Sequence, residues 1–316
     1  MSAPKVLFID EVHPSLPDRL ESLGYENVFG MAWNRQEVLE ALPNYTGAVI
    51  RSRFRFDREL VDAGNQLRFI ARPGSGLENI EVAYAESKGI RVFNSPEGNR
   101  DAVGEQAMAM LLALFNNTIR ADREVRQGLW QREANRGIEL KGKTVGIVGY
   151  GHMGGAFARR LSGFGVKVLA YDKYKTGFSD AWATESSMEQ LHAEADILSF
   201  HLPLTDETRG LATENYFDAF AQPVYLINTA RGPILPIADL VKCLHKGSVA
   251  GACLDVLEFE STSFENLSKE GFPPAFQELV ASDQVILAPH IAGWTHASYQ
   301  KMSAFLANKI EVLGRN

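Results

Sequence analysis

The sequence predicts an α/β protein with two doubly wound parallel sheets. Short β-rich segments alternate with helix-spaced segments along most of the chain. A glycine-rich turn joins one such strand to one such helix. The length, 316 residues, suggests two domains at about 150 residues each. The composition is 45 % hydrophobic and 22 % charged, which excludes a disordered chain. The net charge of −7 comes from 32 basic and 39 acidic residues, with no basic tract. A nucleic-acid partner is therefore not expected, although a local cationic site for a small anion is allowed. The longest strongly apolar run, Met108–Phe115, is too short for a bilayer. The N-terminus carries no signal-peptide pattern, so a cytoplasmic protein with no membrane partner is expected. Cys243 and Cys253 are ten apart and fit no metal spacing. Both read as reduced packing residues, and no metal site is expected.

Lys5–Asp10, Ala48–Arg51, Phe69–Arg72 and Arg91–Asn94 read as strands of the first series, with helical segments such as Leu16–Leu23 and Arg35–Leu42 between them. A long helix is expected from Asp101, a plausible N-cap. Its apolar residues, Val103 to Phe115, are too many for one face. It is buried on several sides, either as a core helix between domains or as a helix shared with a second subunit. A second series follows: Thr144–Val148, Lys167–Tyr171, Ile197–Phe200, Val224–Asn228, Val249–Leu254 and Val285–Ala288. Its count and connectors fit a doubly wound nucleotide-binding domain. Residues 256–280, polar and containing Pro273-Pro274, read as a long and therefore functional loop.

Gly149-Tyr150-Gly151-His152-Met153-Gly154 matches G-x-G-x-x-G between the strand Val145–Val148 and a helix Ala156–Leu161. Gly149 permits the tight turn, Gly151 the approach of a pyrophosphate, and Gly154 close helix–strand packing. The phosphates then meet unpaired N–H groups at the helix N-terminus. Asp172 ends the next strand, 18 residues after Gly154, where an acid bonds the ribose hydroxyls of NAD and repels the 2′-phosphate of NADP. Lys173 follows it and works the other way.

A nicotinamide enzyme acting on an acid needs a proton carrier and a cation. The second half offers both at strand ends. Arg231, in Asn228-Thr229-Ala230-Arg231-Gly232, can pair bidentately with a carboxylate. His290, in Ala288-Pro289-His290-Ile291-Ala292-Gly293, can move a proton. Glu260 can fix the imidazole tautomer, and Glu258 competes with it for that role. The other readings are a solvated loop arginine and a structural histidine.

The order of these motifs, with His201-Leu202-Pro203-Leu204-Thr205 and Leu254-Asp255-Val256 among them, resembles the NAD-dependent D-isomer-specific 2-hydroxyacid dehydrogenases over nearly the whole chain. The resemblance implies a Rossmann cofactor domain over residues 99–287. It also implies a discontinuous flavodoxin-like substrate domain from residues 1–98 plus 288–316, with a cleft between the two. It implies NAD as cofactor and a homodimer. Arg231, His290 and Glu260 would be catalytic, with Arg231 on the substrate carboxylate. His152, Met153, His201, Pro203, Thr229, Ala230 and Gly293 would join the three glycines and Asp172 around NAD, and Asp255 would meet the carboxamide. Ser75, Gly76 and Asn99 would help to hold the substrate. The family usually has Arg-Ile where His152-Met153 stand, and proline where Ser261 stands.

Arg51-Ser52-Arg53 follows a strand, and two arginines at i and i+2 point the same way if the chain stays extended. They would clamp a phosphate, the alternative being a solvated basic loop. The segment resembles that of the D-3-phosphoglycerate dehydrogenases, especially short bacterial ones. The expected reaction is oxidation of 3-phospho-D-glycerate to 3-phosphohydroxypyruvate, as in serine biosynthesis. A glyoxylate or hydroxypyruvate reductase, a 4-phosphoerythronate enzyme, and an NAD-sensing co-repressor are the other readings. With 26 residues after His290, a serine-binding regulatory domain is not expected.

Overall fold

A computed structural model describes residues 3–260 and 273–314. The chain forms two compact units. One holds residues up to Arg100 and from Trp294 onward, and the other runs from Asp101 to Glu260 and on to Gly293.

In the first unit the strands are β1 (Lys5–Phe8), β2 (Glu26–Phe29), β3 (Gly47–Val49), β4 (Phe69–Arg72) and β5 (Arg91–Asn94). Helices α1 (Ser15–Ser22), α2 (Arg35–Ala41), α3 (Arg58–Ala63) and α4 (Val82–Ser87) connect them. All pairs are parallel, in the order β2-β1-β3-β4-β5. Side-chain alternation sorts the strands onto two cores. Leu7, Ile9, Ala48 and Ile70 face one, and Val6, Phe8, Val49 and Phe69 face the other. The order reverses between β1 and β3, so ligands of such a sheet gather at the ends of those strands, near Asp10 and Arg51.

Next come α5 (Pro96–Phe115) and α6 (Thr118–Arg126). In the second unit β6 (Thr144–Val148), α7 (His152–Leu161), β7 (Lys167–Tyr171), β8 (Thr184–Glu185), α8 (Met188–Glu194), β9 (Ile197–Phe200) and α9 (Glu214–Asp218) follow. Then come β10 (Val224–Asn228), α10 (Ile237–Lys246), β11 (Val249–Leu254), α11 (Pro274–Ala281) and β12 (Val285–Leu287), and α12 (His296–Gly314) belongs to the first unit. The second sheet is parallel throughout, in the order β12-β11-β10-β9-β6-β7-β8. Its central strands are buried on both faces, which is why they read as unbroken apolar runs. The excess of apolar residues on α5 has a plain cause: Ala107, Met108, Met110, Leu111 and Phe115 pack into one core with Ile147 and Phe157. Cys243 and Cys253 are free and buried. Among the described residues no helix is long and apolar enough to cross a membrane.

The structure departs from expectation at the edges and at prolines. β2 and β8 were not foreseen. Each is a sheet edge, short and partly charged, where the pleat pattern is weakest. α5 starts at Pro96, so Asp101 lies inside the helix and accepts from Arg160 at 2.8 Å instead of capping. α11 begins at Pro274, within the stretch expected to be loop. In both cases proline opens a helix, because a first-turn N–H has no partner to lose. Within that stretch, residues 261–272, Ser261 included, lie outside the described residues.

Candidate active site

The glycine turn has the shape that its spacing suggested. Gly149 has φ +95°, and a Cβ there would meet the His201 carbonyl oxygen at 2.5 Å. A Cβ on Gly154 would lie 2.2 Å from the Gly149 oxygen, so only glycine lets α7 dock this closely. Gly151 precedes α7 with open space at its Cβ position, and His152 and Met153 form the first residues of the helix. Backbone N–H groups in that turn are unclaimed by the helix itself. Asp172 accepts from the N–H of Tyr150 at 2.9 Å and of Tyr174 at 3.1 Å, which fixes it beside the turn. Lys173 is held by Glu207 at 2.8 Å. The cation that stood against NAD is thus turned to another acid.

The remaining candidates for the cofactor lie on neighbouring strand ends. His201 follows β9, and its ring is buried, with Nε2 at 2.9 Å from Ser199 Oγ. Burial pushes its pKa down to about 3, so the ring is neutral at physiological pH. Its other nitrogen, Nδ1, is buried with no partner among the described residues. Pro203 is exposed and its carbonyl accepts from Thr208. Ala230 donates its N–H to Asn228 Oδ1 at 3.1 Å. The Thr229 hydroxyl is buried with no partner among the described residues. An orphaned hydroxyl, a glycine cradle that a Cβ would fill and an acid at the next strand end together fit a dinucleotide.

Arg231 leaves β10 on a loop that Asn228 shapes. The Asn228 amide donates to the Arg231 carbonyl at 3.1 Å and accepts from Ala230. Arg231 Nη1 donates to the Ala230 carbonyl at 2.7 Å. Gly232 then passes so near the chain at Leu257 that a Cβ would sit 2.0 Å from its backbone. That approach sets the Arg231 loop against the segment that carries Glu258 and Glu260. The two glutamates divide the work. Glu258 accepts from Ile237 N–H at 2.9 Å, at the start of α10, where Pro236 offers no side-chain cap. Glu260 Oε2 meets His290 Nδ1 at 2.6 Å, and its other oxygen accepts from Leu257 N–H. With Nδ1–H donated to Glu260, Nε2 is the nitrogen left to exchange a proton with a ligand.

His290 has φ +55°, a conformation that non-glycine residues hold only when their surroundings impose it. The imposing residue is Asp255. Its carbonyl accepts from His290 N–H at 2.8 Å, and its carboxylate accepts from Ile291 and Ala292 N–H at 2.9 Å each. The side chain is 1 % exposed. Burial raises its pKa from the ordinary aspartate value, opposed by those two N–H groups and by His290. Asp255 thereby clamps the backbone of the His290 loop, which runs on through Gly293 to the start of α12. Neither this clamp nor the parts of Asn228 and Gly232 were foreseen. Their presence inside the quoted motifs was the signal available.

In the first unit Ser75 Oγ donates to Asn99 Oδ1 at 2.7 Å, and Asn94 donates to the Ser75 carbonyl at 2.6 Å. Ser75 and Gly76 are partly exposed on the loop after β4. The Arg51 and Arg53 guanidinium groups, expected to form one clamp, have different partners. β3 ends at Val49, and the chain bends where Asp10 accepts from the N–H of Arg51 at 2.6 Å and of Ser52 at 3.2 Å. Arg53 Nη1 turns back to the carbonyls of Ile9 and Gly30, at 3.2 and 3.3 Å. The Arg51 guanidinium lies over the Trp294 ring, 4.4 Å from its centroid.

Comparisons with known proteins point the same way. The model of the D-isomer specific 2-hydroxyacid dehydrogenase NAD binding domain matches residues 108–292. The chain is 33 % identical over 308 residues to a D-3-phosphoglycerate dehydrogenase of Archaeoglobus fulgidus, covering 97 % of this chain and 56 % of that one. The chain thus spans little more than half the length of that relative. It is also 33 % identical to a hydroxypyruvate reductase of Thermotoga maritima, covering 87 % of each. Its fold is similar to that of a D-lactate dehydrogenase of Aquifex aeolicus solved with NAD and lactic acid. That likeness has TM-score 0.81 and 25 % identity, covering 98 % of this chain and 95 % of the other.

Proposed function

Because the chain belongs to the D-isomer specific 2-hydroxyacid dehydrogenases, we propose that it interconverts a D-2-hydroxy acid and its 2-keto acid, with His290 as acid–base. The observation that carries this reading is the 2.6 Å contact between His290 Nδ1 and Glu260, on a loop held in a strained conformation by Asp255. The cofactor is NAD. The N–H groups around Gly149, Gly151, His152, Met153 and Gly154 would hold its pyrophosphate, and Asp172 its ribose hydroxyls. When bound, NAD supplies the acceptor for the hydrogen on the substrate C2. Arg231 holds the substrate carboxylate with in-plane N–H donors. His290 Nε2 takes the hydroxyl proton during oxidation and returns it during reduction. The imidazolium so formed is stabilised by Glu260 through Nδ1–H.

The substrate we favour is 3-phospho-D-glycerate, with Arg51, Ser75, Gly76 and Asn99 as the candidate substrate ligands of the first unit. The kinship to a phosphoglycerate dehydrogenase over 97 % of this chain supports it. A second reading, reduction of hydroxypyruvate or glyoxylate, is favoured by Arg53, whose guanidinium already serves two carbonyls. NAD-dependent oxidation of a panel of phosphorylated and plain D-2-hydroxy acids separates them. We expect the highest kcat/KM on 3-phospho-D-glycerate. Arg51→Ala should raise its KM about tenfold, the scale of one charged hydrogen bond. A preference for unphosphorylated acids, or an unchanged KM in the variant, would sink the phosphate assignment.

We further propose a homodimer. Ile119, Val125, Leu129 and Trp130 cluster between residues 119 and 130, and Trp130 is 77 % exposed. Exposed apolar side chains gathered in so short a stretch suit an association surface. Sedimentation should give a dimer for the native chain and a monomer for Trp130→Asp. A native monomer would rule the proposal out.

A further inference from the structure

The glycine fingerprint leaves the residue between its first two glycines unspecified. Here that residue is Tyr150, and all its polar atoms are committed to the segment that follows β7. Its N–H donates to Asp172 Oδ2 at 2.9 Å, and its carbonyl accepts from Lys175 Nζ at 2.8 Å. Its hydroxyl donates to the Asp180 carboxylate, 3.0 Å from each oxygen. The ring stacks on that of Phe178, with 5.2 Å between centroids at 26°, and the residue is buried. Asp180 is fixed in turn. Its Oδ1 accepts from the N–H groups of Trp182 and Ala183, at 2.7 and 3.1 Å. One side chain on the glycine turn therefore ties that turn to the segment 172–183, which opens with the acid Asp172.

The pyrophosphate and the adenosine ribose of a dinucleotide are covalently joined, so they reach a fixed distance. The cradle at the end of β6 and the acid at the end of β7 must keep that separation. Any freedom between them is lost as entropy on binding. Pairing with β7 reaches only to Gly149, whose N–H donates to the Tyr171 carbonyl at 2.8 Å. The turn itself is permissive, with φ +95° at Gly149 and open space at the Cβ position of Gly151. Beyond Gly149, Tyr150 carries the link.

We propose that Tyr150, through its hydrogen bond to Asp180, is a positioning residue that sets the distance between the glycine turn and Asp172, and with it the affinity for the adenosine diphosphate half of NAD. The proposal rests on the reading above that these two places take the pyrophosphate and the ribose, and it adds what aligns them. The test is binding of NADH, by fluorescence, and of ADP-ribose, by calorimetry, to the full chain. Tyr150→Phe removes the hydroxyl and keeps the stacked ring. It should weaken both ligands about fivefold, within the scale of one hydrogen bond. With NADH saturating, kcat and the KM for the acid substrate should stay within about twofold. Asp180→Ala should match Tyr150→Phe. Asp180→Asn should bind as the native chain does, because its remaining Oδ1 can take all three donors. In an Asp172→Ala background, Tyr150→Phe should add less than about twofold. The proposal is overturned if Tyr150→Phe binds NADH as tightly as the native chain, if Asp180→Asn loses affinity as Asp180→Ala does, or if the Tyr150→Phe loss persists in full without Asp172. A fall in kcat alongside affinity, the mark of general loosening, overturns it too. If Asp172→Ala weakens NADH and Tyr150→Phe does not, the role of Tyr150 falls while the ribose site stands. If Asp172→Ala changes nothing, both fall.

Discussion

His290→Asn should lower kcat by about a thousandfold, within the span of 10² to 10⁴ that a positioned acid–base contributes, and leave NAD affinity within twofold. Asparagine is the informative substitution. His290 has φ +55°, a region that asparagine tolerates and alanine resists. An alanine variant would mix loss of the imidazole with relaxation of the loop. Asparagine keeps the backbone state, and so the Asp255 hydrogen bonds to Ile291 and Ala292, while removing the group that carries the proton. Steady-state kinetics with fluorescence titration of NADH reads both quantities. Loss of turnover and cofactor binding together would assign His290 a structural role. Retained turnover would remove it from the chemistry.

What the sequence made legible was periodicity and local motif. Strands buried on both faces, such as Thr144–Val148 and Ile197–Phe200, were placed to the residue, because nothing competes with a continuous apolar run between turns. The glycine turn was equally legible, since a positive φ at Gly149 and the close contact at Gly154 leave one residue type possible. Side-chain direction beyond a strand end was not. Arg51 and Arg53 form one clamp only where the chain stays extended. The bend there is imposed by Asp10, 41 residues away, and spacing carries no record of it. The choice between Glu258 and Glu260 had the same character. Both lie in one short segment, and the separation of their tasks depends on the start of α10 and on the loop after β12.

Asp255→Asn should cost catalysis almost as much as loss of a reacting group, although this side chain need not touch the substrate. The carboxylate gives one oxygen to each of two backbone N–H groups in a site that is 1 % exposed. An asparagine can satisfy only one of them. Its amide N–H₂ would then face the other N–H, and an unsatisfied buried donor costs about 1–3 kcal/mol. The least costly relief is to release the strained His290 backbone, which moves Nε2 away from the reacting oxygen. A shift of about 1 Å in a reacting group can cost a hundredfold, so kcat should fall by about that factor. The melting temperature should drop by several degrees, at about 2–4 °C per kcal/mol for a unit of this size. Hydrogen exchange at the Ile291 and Ala292 amides should quicken, a local signature that general destabilisation would not confine to this loop. Because Asp255 acts through His290, the two losses should not multiply. In the His290→Asn background, Asp255→Asn should change kcat by less than about threefold. Full multiplication of the two effects would mean that Asp255 serves the reaction by a route independent of His290, and the clamp would then not be its catalytic role.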